Sequence, residues 1–156
     1  MYKTPQRLFC SVLFALLSAC ASNATKPANP AVVARLKAID RTKSATVVIY
    51  RPEAHMGYSL HPTVVLDGKD LINIGNGKVF VAPINPGHYV FEMDDKHSGT
   101  DVTLKAGQDV YMKIEIVPGM WVGGGKLTQM ASEQGAYEAT RLELIEPNQI
   151  EIASFR

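Results

Sequence analysis

What this sequence has little of bounds it first. It holds two cysteines, too few for a disulfide scaffold, and one tryptophan. Neither sign of charge is in excess: 16 Lys and Arg stand against 15 Asp and Glu, a formal net charge of +1. That balance excludes the broad basic footprint of a nucleic-acid binder. The main apolar run, Leu8 to Ala19, falls well short of the roughly 20 residues a helix needs to cross hydrocarbon. Compositional bias is lacking too. With 46% hydrophobic and 20% charged residues the chain is neither disordered nor collagenous. Its 156 residues suit one domain and a short address segment.

That address segment is the first positive signal. Lys3 and Arg7 precede the apolar run, which has the proportions of a signal-peptide core. The run ends in Leu17-Ser18-Ala19-Cys20, which resembles the bacterial lipoprotein box. The resemblance implies cleavage between Ala19 and Cys20 and transfer of a diacylglycerol to the Cys20 thiol. The freed amine of Cys20 would then take a fatty acyl chain such as palmitate. The chemistry needs cysteine because the thiolate is the nucleophile that is alkylated. Three acyl chains exceed the two signals that stable anchoring requires. Ala21 stands where an Asp would resemble an inner-membrane retention signal, so the expected location is the outer membrane, facing the periplasm. Cleavage removes Lys3, Arg7 and Cys10 but no acid, so the formal charge moves from +1 to −1 and the lipid has to supply the anchoring.

Behind the leader (1–19) the chain divides into an anchored tether with a short helix (20–44) and a β domain (45–156). Ala21 to Asn29 is small, polar and proline-punctuated and reads as a tether. Asn29-Pro30 has the form of an N-cap and first-turn proline, and Val32, Leu36 and Ile39 share one face of a helix over about 30–41. From Ala45 the period changes to two. Strands are expected at Ala45–Arg51, Thr63–Leu66, Asp70–Ile74, Lys78–Ala82, His88–Met93, Thr100–Leu104, Val110–Ile116 and Lys126–Met130. Val110, Met112, Ile114 and Ile116 oppose Tyr111, Lys113 and Glu115, the pattern of antiparallel sheets with one buried and one wet face. Asp67-Gly68 predicts a type I′ hairpin turn. Ser132 to Thr140 reads as a short helix weakened by Gly135, and Leu142 with Leu144 as a last strand. The fold class is all-β: an antiparallel β-sandwich, immunoglobulin-like or related, with an open barrel as the alternative.

The order of Tyr50-Arg51-Pro52, Val65-Leu66-Asp67-Gly68, Pro86-Gly87-His88-Tyr89 and Ala106-Gly107 resembles the family of domains of unknown function numbered 2846. The likeness spans about residues 45 to 144. It implies an all-β domain in lipoproteins of bacterial envelopes and carries over no activity.

Sites of chemistry are sparse. Gly119 to Thr128 superficially resembles a phosphate loop, but Met120 and Leu127 stand where Gly and Ser or Thr are needed, and a strand is expected to come next. The four histidines (His55, His61, His88 and His97) match no compact ligand spacing, although Asp94, Asp95 and His97 fall near one turn. There is no Gly-x-Ser-x-Gly elbow. No catalytic residue, metal or cofactor is therefore assigned. Met120, Trp121 and Val122, large apolar residues between glycines, leave two readings open. Trp121 plugs one end of the sandwich, or the three form a contact loop for another envelope protein or the membrane surface. The expected function is a binding or structural role on the membrane, with no nucleic-acid partner. The alternatives are an envelope enzyme or accessory subunit with a site built from dispersed loops, and capture of a small molecule or metal.

Overall fold

Ala45-Thr-Val-Val-Ile-Tyr50 is an unbroken run of residues that suit a strand buried on both faces, and it forms β1 (Ala45–Tyr50), buried at every position. The computed structural model describes residues 26–96, 98–117, 124–145 and 150. β1 is the centre of a five-stranded sheet. The remaining elements are α1 (Pro30–Lys37), β2 (Thr63–Leu66), β3 (Lys69–Asn73), β4 (Lys78–Ile84), β5 (Gly87–Met93), β6 (Gly99–Leu104), β7 (Asp109–Val117), β8 (Gly124–Met130), α2 (Ser132–Ala139) and β9 (Glu143–Leu144). One sheet runs β8-β7-β1-β4-β9 and the other β3-β2-β5-β6. Two separate sheets face each other, which makes this a sandwich and not an open barrel.

The expected strands stand within two residues of the observed ones. The hairpin between β2 and β3 turns at Asp67 (φ 48°) and Gly68 (φ 79°), the two positive φ angles that a type I′ turn demands. Pairing is not uniformly antiparallel, however. β1 runs parallel to β7, with Val47 opposite Val110, and β4 runs parallel to β9. Strands remote in sequence meet side by side because the chain crosses to the other sheet between them.

Between the sheets lies an apolar layer. Val47, Ile49, Phe80, Ala82, Met112 and Ile114 from one side meet Val64, Leu66, Phe91, Met93, Val102 and Leu104 from the other. Ile145 and Ile150 add to it from beyond β9, and Ile150 bridges to Ile72 on β3.

The outer faces of the two sheets differ, and here the pattern of Tyr111, Lys113 and Glu115 misleads in part. On β6 the alternation holds, with Val102 and Leu104 buried and Asp101 and Thr103 exposed. On the five-stranded sheet the second face is covered by both helices. Val32 and Ile39 pack with Val48, Tyr50, Val81, Tyr111 and Ala139 in a second apolar cluster. Gly135 allows that approach: a Cβ there would lie 2.3 Å from Tyr111 Cβ. The glycine that weakens α2 as an isolated helix is what lets it reach the sheet. A small network finishes the contact. Tyr50 Oη donates to Glu138 Oε2 at 3.0 Å, Gln134 Nε2 donates to Oε1 at 2.9 Å, and Lys113 Nζ stands 3.4 Å from Oε2.

Asn29 caps α1 as the sequence implies, its side chain accepting from the N–H of Ala31 at 3.0 Å. The helix stops at Lys37, short of residue 41. Asp40 takes the N–H and hydroxyl of Thr42 on its carboxylate, which turns the chain into a bend. Hydrogen bonds at both ends of this segment set its direction across the sheet. Asn29 donates from its backbone to Thr140 O and from its side chain to Leu142 O, beside the start of β4. Ser44, past the far end of α1, accepts from Gly107 at the opposite end of the sandwich.

Candidate functional site

The end of the sandwich where β1 stops carries the features that sheet packing alone does not explain. Chain leaving β1 must cross to the other sheet, and residues 51–62 make that crossing without regular structure. Such a segment needs partners for its backbone. Arg51 supplies them. It is 2% exposed, and its Nη1 donates to Leu60 O at 2.5 Å and Nη2 to Gly57 O at 2.6 Å. A longer contact of 3.5 Å reaches Ile74 O. No carboxylate among the described residues pairs with it. Burial draws its pKa down from the ordinary guanidinium value, but a group that starts so high stays cationic. The planar fork thus replaces water for two carbonyls of one loop and holds its far half against its start.

Further bonds complete the frame. Asn76 both donates to Ala54 O and accepts from Ala54 N, each at 3.0 Å. Gly57 has a φ of 68° and lies on Ile116, where a Cβ would come within 2.9 Å of the isoleucine Cγ2. Position 57 must therefore be glycine for two separate reasons.

Holding the backbone this way turns side chains outward. Met56 is 65% exposed, Tyr58 69% and Leu60 41%, and Val117 at the end of β7 is 46% exposed. Four of the five exposed large hydrophobic residues in the described chain gather at this one end. The fifth, Tyr137 on α2, lies under the Arg141 guanidinium at 3.6 Å. Beside them a shallow cavity of about 290 Å3 opens, lined by Leu60, His61, Pro62, Asp94, Asp95 and Ile116 and by Gly124 and Gly125 of β8. His61 Nδ1 lies 3.0 Å from Ser59 O, which fixes its ring at the rim. Gly124 again marks a close approach, since a Cβ there would meet Asp95 Oδ2.

Among the described residues, the candidates that the sequence singled out do not all gather in one place. Ala19 and Cys20, Met120, Trp121 and Val122, and His97 lie outside the described residues. Asp94 and Asp95 do share a turn, after β5, and His61 joins them at the cavity. His55 is exposed on the 51–62 loop. His88 stands apart, at the other end of β5, with Nε2 3.2 Å from Asp101 Oδ1 and Nδ1 3.2 Å from Thr103 Oγ1. Among the described residues no three metal-ligating side chains converge. Lys126, the lysine of the phosphate-loop-like stretch, lies within strand β8 and not at a helix start. Met56, Tyr58 and Leu60 are not singled out by the sequence. Their alternation with Gly57 and Ser59 could have flagged them, but a short apolar alternation in a loop looks like one more strand.

The second polar centre is the network at Glu138. Desolvation would raise its carboxyl, but hydrogen bonds from Gln134 and Tyr50 and the charge of Lys113 outweigh it and hold it below the ordinary glutamate value. Burial and the same carboxylate push the Tyr50 hydroxyl well above its usual range. Both shifts favour the docked helix and leave neither group poised for proton transfer near neutral pH.

No curated protein and no solved structure matches the chain. A family model described as "Protein of unknown function (DUF2846)" matches residues 41–125, more than half of the chain. That stretch runs from the turn before β1 to the first residues of β8 and so includes Arg51, its loop and the cavity lining, and on this match the chain belongs to the DUF2846 family.

Proposed function

We propose that this protein is a lipoprotein of the bacterial outer membrane, held there by acyl chains on Cys20. Its sandwich serves in the periplasm as a binding or structural module and not as an enzyme. The observation that carries the reading is the order of Lys3 and Arg7, a short apolar run and Leu17-Ser18-Ala19-Cys20. Exposed apolar residues gathered at one end of the domain support a contact role, because large exposed apolar patches mark interaction surfaces. Expression of the full chain in a lipoprotein-processing bacterial host tests it. The N-terminal peptide of the processed protein is expected to start at Cys20 and to carry the mass of three acyl chains, and a Cys20→Ser chain to leave the membrane fraction. A wild-type chain that is unacylated, or a Cys20→Ser chain that still fractionates with membranes and shows unchanged processing, refutes the proposal.

One observation favours a second reading. The cavity beside His61, Asp94 and Asp95 approaches the lower size limit of small-ligand pockets. Capture of a small polar molecule there would show as a shift in the thermal midpoint that His61→Ala abolishes.

A further inference from the structure

An anchor at Cys20 constrains how the domain meets the membrane. Nine residues separate Cys20 from Pro30, the first residue of α1. Nine residues can span at most about 30 Å. The domain thus stays close to the bilayer, and the end at which the tether joins it is held closest. That end is defined. Asn29 is tied to Thr140 O and Leu142 O, and the neighbouring Glu143 pairs with Lys78 at the start of β4. From there α1 leads away across the sheet toward Gly107.

The same end carries Met56, Tyr58, Leu60 and Val117. At the opposite end, the β2–β3 hairpin presents Asp67, Gly68 and Lys69. We infer, resting on the proposed Cys20 anchor, that the 51–62 loop is a second membrane contact: the anchored sandwich stands with this end on the bilayer and lays Met56, Tyr58 and Leu60 into the lipid interface. Three features favour lipid as the occupant. The tether delivers this end to the membrane. The exposed side chains include a tyrosine, whose ring suits the headgroup boundary. Arg51 and Asn76 already occupy the carbonyls of Ala54, Gly57 and Leu60, so fewer backbone groups lose water when the apolar tips enter the interface. Charge supplies little of the attraction, since Glu53, Asp94 and Asp95 lie at this end alongside Lys78 and Lys96. The contact is therefore apolar, and neutral lipid suffices.

The test uses the full lipidated chain. Cys10 is lost with the leader and Cys20 is acylated, so a Met56→Cys or Lys69→Cys variant carries one free thiol for an environment-sensitive fluorophore. Each labelled protein is reconstituted into phosphatidylcholine vesicles with and without doxyl-labelled lipid. Insertion by about 5–10 Å brings position 56 within quenching range, so its emission is expected to shift to the blue and to fall by roughly half, while position 69 is unchanged. Adding Tyr58→Ser and Leu60→Ser to the Met56→Cys chain is expected to abolish the quenching. Equal quenching at 56 and 69, or none at 56, overturns the orientation. So does protection of position 56 that arises only when envelope protein is added, which would assign the face to a protein partner. The mass of the N-terminal peptide, read on the same sample, separates the two claims. An acylated Cys20 with an unquenched position 56 refutes this contact alone, whereas an unacylated chain refutes the anchor beneath it.

Discussion

Replacing Arg51 by methionine tests whether a buried cation, and not apolar packing, holds the 51–62 loop in place. Methionine nearly fills the same space but donates nothing. The wild-type fork makes two short bonds, to Gly57 O and Leu60 O. Each bond from a charged donor contributes about 1.5–3 kcal/mol, so the gross loss is about 3–6 kcal/mol. Against this, the variant no longer bears the desolvation of a guanidinium, which costs several kcal/mol. Both carbonyls lie on an open loop and can turn to water, which limits the penalty further. The net expectation is a loss of about 2 kcal/mol, equivalent to roughly a thirtyfold rise in loop opening. Urea unfolding should show that loss with an unchanged m-value, and amide exchange over residues 53–62 should quicken by a similar factor. Arg51→Lys sharpens the test. It keeps the charge, but a single ammonium cannot present the two parallel prongs that the carbonyls accept, so it should fare no better than methionine. If Arg51→Met is neutral or stabilising and exchange over the loop is unchanged, the account of this loop is wrong. If lysine matches arginine, the geometric part of it is wrong.

The packing of the helices and the central strand leads to three further expected outcomes. Gly135→Ala gains about 1 kcal/mol of helix propensity, yet its Cβ would lie 2.3 Å from Tyr111 Cβ. Overpacking of this kind costs about 1–3 kcal/mol, so the thermal midpoint should fall, and a rise would show that α2 does not lie tight on β7. Glu138 has its pKa lowered on folding, so it binds protons more weakly in the native than in the unfolded chain. Its contribution is complete above the ordinary value of 4.5 and is lost as pH falls through the lower folded value. Urea midpoints should drop below that pH, and Glu138→Gln should flatten the drop. Thr46 Oγ1 is buried on β1 with no hydrogen-bond partner among the described residues. Thr46→Val keeps the shape and removes the stranded hydroxyl, and calorimetry should record a gain of about 1 kcal/mol; a loss would mean that the hydroxyl has a partner.

How far the sequence could be read depended on whether a signal was local. Asp67-Gly68 announced its hairpin because the turn's two positive φ angles are a property of those residues themselves. Asn29-Pro30 announced the start of α1 for the same kind of reason. Gly135 misled because its use lies across space, against Tyr111, 24 positions earlier in the chain. The exposed loop was missed for a related reason. Met56 and Tyr58 look in sequence like any short apolar alternation, and only the grip of Arg51 on Gly57 and Leu60 turns them to solvent.

By itself, then, the sequence determined the strand segments, the turns between them, the family, and the expectation of a lipid anchor, since each rests on neighbouring residues or on their order. The tertiary structure alone decided that β1 runs parallel to β7, that one sheet is roofed by two helices, and that the tether and the apolar loop share an end. The physical reason is that strand periodicity states which face of a segment is apolar but carries no record of which distant segment will cover it. That choice is made by the packing of the whole chain.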